Sequence, residues 1–262
     1  MNTGLHLSAS GVLANLYRQD VFANNLANMG TVGFKRDLAM ITQRAPESLE
    51  DPHPFGLQND LLDRLGGGVF AGPQQVAFKQ GAMQKTDNAL DVALDGKDTF
   101  FVASVIDPTT KEQAIRLTRD GRFETDLNGM LVMIAGGNPI LDENDQTIQV
   151  DRSQPVEINR EGEIRQNQQL IAKLQIARAA DNKRLLKSGS NLFRFEDGQD
   201  QRVVATSASV RSGYVEMSTV DPFTELRAML DATSAVQSNG NLIKYHDMLM
   251  DRTVNTLGRV VG

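Results

Sequence analysis

The sequence of 262 residues contains no cysteine and no tryptophan, and it has only three histidines. Without cysteine the chain forms no disulfide and offers no thiolate as a nucleophile or a metal ligand. The histidines, His6, His53 and His246, are far apart and fall in no HExxH pattern. A transition-metal site is therefore not expected, and we predict neither a metal nor another cofactor.

Long hydrophobic runs are also missing. No stretch approaches the roughly 20 apolar residues of a membrane-spanning helix. The first residues lack the positive and apolar regions of a secretory signal peptide, so we expect neither membrane insertion nor export by the general secretory route. The formal net charge of −6 argues against a general nucleic-acid-binding protein.

The common patterns of catalytic and nucleotide-binding sites are absent as well. The sequence contains no P-loop, no GxGxxG and no GxSxG. Aspartates near turn glycines, such as Asp91, Asp95 and Asp98, are more typical of turn formation than of catalysis. We therefore predict that the protein is not an enzyme.

The strongest periodic signal lies in the last forty residues. From Asp221 onward the pattern predicts one long amphipathic helix, with Asp221 as its cap and Pro222 at its first position. A helix of about 37 residues would be about 55 Å long, more than a domain of this size needs to cover its core. Its apolar face therefore requires a partner in this chain or in another copy. The residues of this face recur every seven positions: Met229, Val236, Ile243, Met250 and Leu257.

A second helix is predicted for residues 5–28, because apolar residues recur there at alternating spacings of four and three. Three asparagines, Asn24, Asn25 and Asn28, stand near its end, where a good helix former is expected. They indicate either a frayed helix end or amides that hydrogen-bond across a subunit contact. The apolar stripe consists of Leu5, Ala9, Val12, Leu16, Ala23 and Leu26.

The region between the helices changes character twice. Proline and glycine in residues 31–75 favour an extended connector with little regular structure. From residue 76 to 217, short apolar runs and turn dipeptides such as Asp120-Gly121 and Asn128-Gly129 are typical of an antiparallel β domain.

The predicted fold class is accordingly mixed and mainly β. A central antiparallel β domain is flanked by coiled-coil-like terminal helices, which pair with each other and with neighbouring subunits. The predicted domains are the N-terminal helix at 1–30, the connector at 31–75, the β domain at 76–217 and the C-terminal helix at 218–262.

Five segments, in this order and at these spacings, resemble the axial proteins of the bacterial flagellum, specifically the rod and hook group. The length and the connector are most similar to the distal rod protein, with proximal rod and hook-type proteins as alternatives. The segments are Ser8–Gly11, Asp20–Asn28 with Gly33–Arg36, Leu90–Gly96 with Phe100–Phe101, Thr118–Phe123 with Asn128–Gly129 and Leu131–Val132, and Gly213–Ser218 with Val220–Asp221.

The resemblance implies a structural subunit of the periplasm-spanning basal-body rod. Such a subunit is exported without a cleaved signal peptide and polymerises into a hollow tube that transmits torque and serves as an export channel. The implied partners are further copies, other rod and hook proteins, the ring (bushing) proteins and the flagellar type III export apparatus. The terminal helices are expected to be largely disordered in the monomer and to fold on assembly.

In this interpretation, polar positions such as Gln19, Thr233 and Asp247 face the channel or set the helix register. Subunit packing is assigned to residues of the terminal helices and the segment after the first helix. These are Leu5, Val12, Leu16, Asn24, Asn25, Leu26, Asn28, Phe34, Met229, Val236, Asn239, Ile243, Met250 and Leu257.

Two other function classes stay open. One is a β-domain enzyme with helical oligomerisation arms, in which Asp91, Asp95 and Asp120 would be the candidate acids. Such an enzyme requires these carboxylates to converge in a pocket rather than to lie apart in exposed turns. The other is a fibre or adhesin-like binding module held together by a parallel trimer of the C-terminal helix.

Overall fold

The computed structural model describes residues 3–45, 67–106, 111–197, 202–204 and 209–257. Two long helices stand at the ends of this part of the chain, with short strands between them. Helix α1 spans Thr3–Ala27, and helix α2 spans Pro222–Leu257. The predicted mixed fold, an antiparallel β region between two terminal helices, is confirmed at this level.

The strands are short, and a 3-10 turn at Asn182–Arg184 precedes one of them. In chain order they are β1 (Asp37–Leu38), β2 (Ile41–Gln43), β3 (Val69–Ala71), β4 (Gln75–Val76), β5 (Met83–Lys85), β6 (Val92–Asp95), β7 (Phe100–Ile106), β8 (Gln113–Thr118), β9 (Phe123–Thr125), β10 (Leu131–Met133), β11 (Glu157–Ile158), β12 (Glu163–Gln166), β13 (Gln169–Lys173), β14 (Ile176–Ala179), β15 (Leu185–Lys187), β16 (Leu192–Phe195), β17 (Arg202–Val204), β18 (Ser209–Ser212) and β19 (Tyr214–Glu216).

The chain divides into two compact units. The helical unit comprises Met1–Leu26, Asp37–Gln75 and Asp221–Gly262. The β unit comprises Ala27–Arg36 and Val76–Val220, so the segment that follows α1 belongs with the strands. The domain boundaries drawn from the sequence at residues 30, 75 and 217 stay a prediction.

Helix α2 begins where its sequence predicts. The carboxylate of Asp221 accepts the backbone N–H of Phe223 at 3.3 Å and the hydroxyl of Thr224. These bonds satisfy groups that the first turn of a helix leaves without an intrahelical partner. Pro222 occupies the first helical position, where its missing N–H costs nothing.

The predicted connector contains regular structure in its described part. Strands β2 and β3 pair antiparallel, with Ile41 opposite Ala71. They lie in the helical unit and are too short to produce a visible alternation of apolar residues. The residues used to predict an irregular connector lie mostly outside the described part: Pro46, Pro52, Pro54 and Gly66.

The β unit is built on a six-stranded antiparallel sheet in the order β15-β16-β8-β7-β14-β17. Strand β7 lies inside the sheet, and its side chains alternate between two apolar cores. Phe101 packs in one core with Phe123, while Phe100 packs in the other with Phe193. Burial on both faces explains why β7 begins with four apolar residues in succession, Phe100–Ala103.

The turn dipeptides have different roles. Asn128-Gly129 joins the antiparallel pair β9–β10, and Gly129 has a φ of +83°, as predicted for a hairpin. Asp120-Gly121 does not form the predicted hairpin, because β8 and β9 belong to different sheets. Gly121 is needed for space instead, since a Cβ there would overlap the carbonyl oxygen of Val92.

The chain before α2 forms two strands, β18 and β19, rather than one continuous strand. Gly213, with a φ of +75°, separates β18 from β19. Strand β18 pairs with β6, and β19 pairs with β5. A left-handed glycine thus redirects the chain from one partner strand to another.

Candidate assembly surface

Helices α1 and α2 contact each other and run antiparallel in the helical unit. Contacts near the end of α1 involve the start of α2, and contacts near the start of α1 involve later turns of α2. From one end to the other, Asn25 donates to Glu225 at 3.1 Å, Gln19 donates to Thr233 at 2.7 Å, Gly11 lies against Asn239, and Gly4 lies against His246.

Two helical glycines mark the contact. A Cβ on Gly11 would lie 2.8 Å from Nδ2 of Asn239, and a Cβ on Gly4 would lie 2.9 Å from Nε2 of His246. Both glycines therefore leave room for a side chain of α2. Neither glycine was predicted to lie in a contact, although a glycine inside a helical pattern costs about 1 kcal/mol and is itself a signal of close packing.

The polar positions on the two stripes bond to each other. The hydroxyl of Thr233 accepts the amide of Gln19 and donates to the carbonyl of Met229 at 2.8 Å. Such a pair between apolar stripes favours one register over its neighbours, because a shift would separate the partners. Asp247, the third predicted polar position, is exposed.

Asn25 is fully buried and uses its amide inside the chain. Its Oδ1 accepts the backbone N–H of Asp37 at 2.8 Å, and its Nδ2 donates to the carbonyl of Asp37 at 2.9 Å. Together with the bond to Glu225, these contacts join the end of α1 to the start of α2 and to β1. The other two asparagines differ, since Asn24 is exposed and Asn28 accepts the hydroxyl of Thr31 at 3.2 Å.

The residues assigned to subunit packing fall into three groups by burial, and their role between copies stays a prediction. The side chain of Leu257 lies outside the described part. Asn25 and Phe34 are buried; Leu5, Val12, Leu26, Asn28, Met229, Val236, Asn239 and Ile243 are half-buried; Leu16, Asn24 and Met250 are exposed.

Large apolar side chains remain exposed on both helices. On α1, Leu13 is 68% exposed and Leu16 is 41% exposed. Near the end of α2, Met250 is 48% exposed and Val254 is 66% exposed. A second row on α2 comprises Phe223, Leu226, Leu230, Tyr245, Met248 and Leu249. Rows of this kind are typical of surfaces that another protein covers.

A buried charge cluster lies inside the β unit and comprises Lys35, Arg119 and Glu216, which we call the triad. Nζ of Lys35 lies 2.5 Å from Oε1 of Glu216, and Nη1 of Arg119 lies 3.0 Å from Oε2. None of the three side chains is more than 1% exposed. Each residue comes from a different one of the quoted sequence segments, so three distant motifs meet at one carboxylate.

Backbone groups complete the triad. Glu216 also accepts the N–H of Gly81 at 2.6 Å through Oε1, and its carbonyl accepts the N–H of Gly33 at 2.7 Å. Lys35 donates to the carbonyl of Lys79 at 2.5 Å. The segment after α1 and the segment before α2 are therefore both bound to the body of the β unit.

The triad carries two positive charges and one negative charge without water contact. Burial lowers the pKa of Lys35 below its usual value, because desolvation and the nearby Arg119 outweigh the attraction of Glu216. Burial also lowers the pKa of Arg119. Glu216 is the anion that pairs with both cations. Removing one partner of a buried ion pair leaves an uncompensated charge and strongly destabilises the protein.

The aspartates considered as catalytic acids form structural contacts. Asp120 is buried and binds Arg122 through both oxygens, at 3.0 and 2.8 Å, which raises the pKa of Arg122. Asp95 is exposed and pairs with Arg211 at 3.2 Å. Asp91 is buried, and it accepts the amide of Asn88 at 3.1 Å.

No helix within the described ranges has the length and hydropathy needed to span a membrane. The candidate site in the helical unit is the set of exposed apolar rows on α1 and α2.

The chain is similar to known proteins of the bacterial flagellar basal body. Residues 5–35 match the family described as flagella basal body rod protein. The chain is 30% identical over 264 aligned residues to the flagellar basal-body rod protein FlgF of Caulobacter vibrioides, which covers 99% of this chain and 100% of that protein. It is 30% identical to the flagellar basal-body rod protein FlgG of Buchnera aphidicola, across 96% of this chain and 98% of the relative. The flagellar hook-basal body complex protein FlhO of Bacillus subtilis is 26% identical, across 99% and 100% respectively.

Proposed function

The chain belongs to the family of flagellar basal-body rod proteins, and from this premise we propose that copies of it assemble into a hollow helical tube that transmits torque and serves as an export channel. As a member of that family it is a structural subunit of the rod, located in the basal body and associated with other basal-body components. Its relatives are structural rod proteins rather than enzymes. Similarity over the whole length of those relatives is the observation that carries the proposal.

The helical unit supports assembly through its surface. Leu13 on α1 and Leu230 on α2 are each at least 60% exposed, although each belongs to a long amphipathic helix. Burying one leucine side chain fully contributes about 1.5–3 kcal/mol. Several such residues on each copy would supply a large part of the free energy of association. We propose that coiled-coil-like pairing, which joins α1 to α2 within one chain, extends to helices of neighbouring copies.

The proposed partners of the rod subunit are other rod and hook proteins, the ring (bushing) proteins and the type III export apparatus. Export without a cleaved signal peptide and a location in the periplasm-spanning part of the rod belong to the same proposal, as does the absence of nucleic-acid binding and membrane insertion. Relatives named FlgF and FlgG match at the same 30% identity, so the distal position stays a prediction beside the proximal and hook-type alternatives.

The trimeric binding module receives less support than the rod subunit. A parallel trimer of α2 alone needs the apolar face of that helix for two further copies of α2. In this chain that face meets α1, as the bond between Gln19 and Thr233 illustrates. The enzyme alternative needs converging carboxylates, whereas Asp95 and Asp120 bind different arginines.

A deletion strain tests the function. We expect the strain to lack everything beyond a short rod stub and to regain motility when the full chain is supplied. A tagged copy should co-purify with basal bodies. Leu230→Asp should prevent rescue, because it places a charge in an apolar row, whereas Gln237→Asp adds the same charge at an exposed polar position and should permit rescue.

The point at which the structure stops growing also assigns the subtype. A rod that ends just below the hook agrees with the distal position, and an earlier stop agrees with a proximal one. A deletion strain that builds complete, rotating flagella would contradict the proposal.

A further inference from the structure

Helix α2 extends beyond helix α1 in the helical unit. Helix α1 has 25 residues and α2 has 36. The first turn of α1 already lies against the later part of α2, since Gly4 is next to His246. Residues 247–257, which we call the overhang, therefore continue α2 for about 16 Å past the described start of α1.

The overhang carries the same apolar pattern as the part of α2 that meets α1. Met250 follows Ile243 by seven residues, and Val254 follows one turn later, which keeps both on the side of α2 that faces α1 upstream. Upstream, Ile243 is half-buried and Ala232 is 1% exposed. On the overhang, Met250 is 48% exposed and Val254 is 66% exposed. The apolar pattern continues where the cover by α1 has ended.

Helix α1 presents one apolar side that meets neither α2 nor the β2–β3 pair. Its side toward α2 is marked by Gly11 and Gln19. Its side toward β2–β3 is marked by Tyr17, whose hydroxyl donates to the carbonyl of Gly72 at 3.2 Å. Leu13 and Leu16, at 68% and 41% exposure, lie on the third side.

We propose that the overhang of α2 packs on the Leu13 and Leu16 side of α1 from a second copy of this chain. This inference rests on the proposed rod function and specifies which surfaces join the copies. Upstream of the overhang, α1 of the same chain covers this face of α2. Because the overhang continues that face, we infer that its partner is α1 of a second copy. A contact from α2 of one copy to α1 of the next is heterologous and can repeat without closing, as a rod requires.

With this contact, the residues that recur every seven positions on α2 divide into two roles. Met229, Val236 and Ile243 are half-buried on the part of α2 that lies beside its own α1. They therefore stabilise the helix pair within one copy. The contact between copies moves to Met250 and Val254 at one end and to Leu13 on the other helix.

Disulfide cross-linking tests the contact directly, because the chain has no cysteine of its own. Two differently tagged copies are produced together in a strain without the wild-type chain, one carrying Met250→Cys and the other Leu13→Cys. Basal bodies are purified and oxidised. We expect a disulfide that joins the two tags.

The matched control replaces Met250→Cys by Arg252→Cys, which lies half a turn away on the same part of the overhang. Disulfides form only when the Cβ atoms approach to about 4 Å, so its yield with Leu13→Cys should be roughly tenfold lower. A second pair, Val254→Cys with Leu16→Cys, covers the case in which the first substitutions reduce assembly.

Three outcomes overturn the inference. One is equal cross-linking from positions 250 and 252, another is the formation of disulfides only between two copies of Met250→Cys, and the third is no cross-link from either pair. The proposed function is checked separately, by co-purification of the tagged wild-type chain with basal bodies. If that chain is absent from them, the rod assignment fails and the inference falls with it.

Discussion

The two units of the chain satisfy their apolar surface in different ways. The β unit buries side chains such as Phe101 and Leu117 completely, in two cores on either side of one sheet. The helical unit buries few large apolar residues, among them Val21 and Phe22, and leaves Leu13 and several residues of α2 exposed. The β unit therefore covers its apolar surface within one chain, whereas the helical unit leaves apolar surface that we propose other copies cover.

Hydrogen exchange of the monomer should reveal the largest difference between the units. Amides of the overhang, at residues 247–257, should exchange with an opening free energy near zero, because few contacts hold them. Amides of β7 should approach the global stability, of about 5–15 kcal/mol. Incorporation into the rod should protect the overhang. Equal protection of the overhang and β7 in the monomer would contradict the difference in stability between the two units, and also assembly-coupled folding of the termini.

The substitution Glu216→Gln should destabilise the β unit by about 3–5 kcal/mol, since it leaves two buried cations without an anion. Urea unfolding followed by circular dichroism measures the loss. The matched control is Asp95→Asn, which breaks the exposed pair with Arg211 and should cost less than about 1 kcal/mol. Similar losses for both variants would show that the triad contributes no more to stability than an exposed ion pair.

Truncating one leucine in each unit should have different effects on stability and on assembly. Leu117→Ala, in the β unit, should lower the free energy of unfolding by about 2–5 kcal/mol because it leaves a cavity. Leu13→Ala, in the helical unit, should change the monomer by less than about 0.5 kcal/mol. The effect on incorporation into basal bodies should have the opposite order. Leu13→Ala should weaken incorporation, whereas Leu117→Ala should not, provided that it still folds. Comparing unfolding with basal-body incorporation for both variants checks this.

The triad also predicts a pH dependence of stability. The pKa of Lys35 is lower in the folded chain than in the unfolded chain, so the unfolded chain binds more protons between these two values. The free energy of unfolding should therefore rise with pH in that window, by at most about 1.4 kcal/mol per pH unit. Urea unfolding at pH values up to the usual lysine pKa measures the slope. Lys35→Met should remove this slope while leaving the Arg119–Glu216 pair in place.

The sequence predicted the helices well because their signals are local. The cap at Asp221 and the seven-residue spacing that includes Met229 and Ile243 define α2 without knowledge of the rest of the chain. The β region was also predicted, since buried strands such as β7 contain short apolar runs. Short strands such as β2 and β3 were missed, because three residues carry too little pattern.

The candidate site was predicted only in part. The stripes indicated the two helices that carry exposed apolar rows, but they did not separate the side of α2 that meets α1 from the side left exposed, since both carry apolar residues. The triad was missed because a lysine, an arginine and a glutamate separated by up to 181 positions give no periodic signal. All three residues lie in segments that resemble flagellar axial proteins, but nothing in those segments shows that they meet.

Three features followed from the sequence alone: the two amphipathic terminal helices, the β region between them and the resemblance to flagellar axial proteins. Hydrophobic period, capping residues and turn residues act over a few positions, so they can be read directly from the chain. The folded chain was needed to show which apolar rows are covered within one copy, that Gly121 is required for space rather than for a hairpin, and that Lys35, Arg119 and Glu216 meet. Those outcomes depend on which distant segments approach one another, and burial then gives each contact its energetic weight.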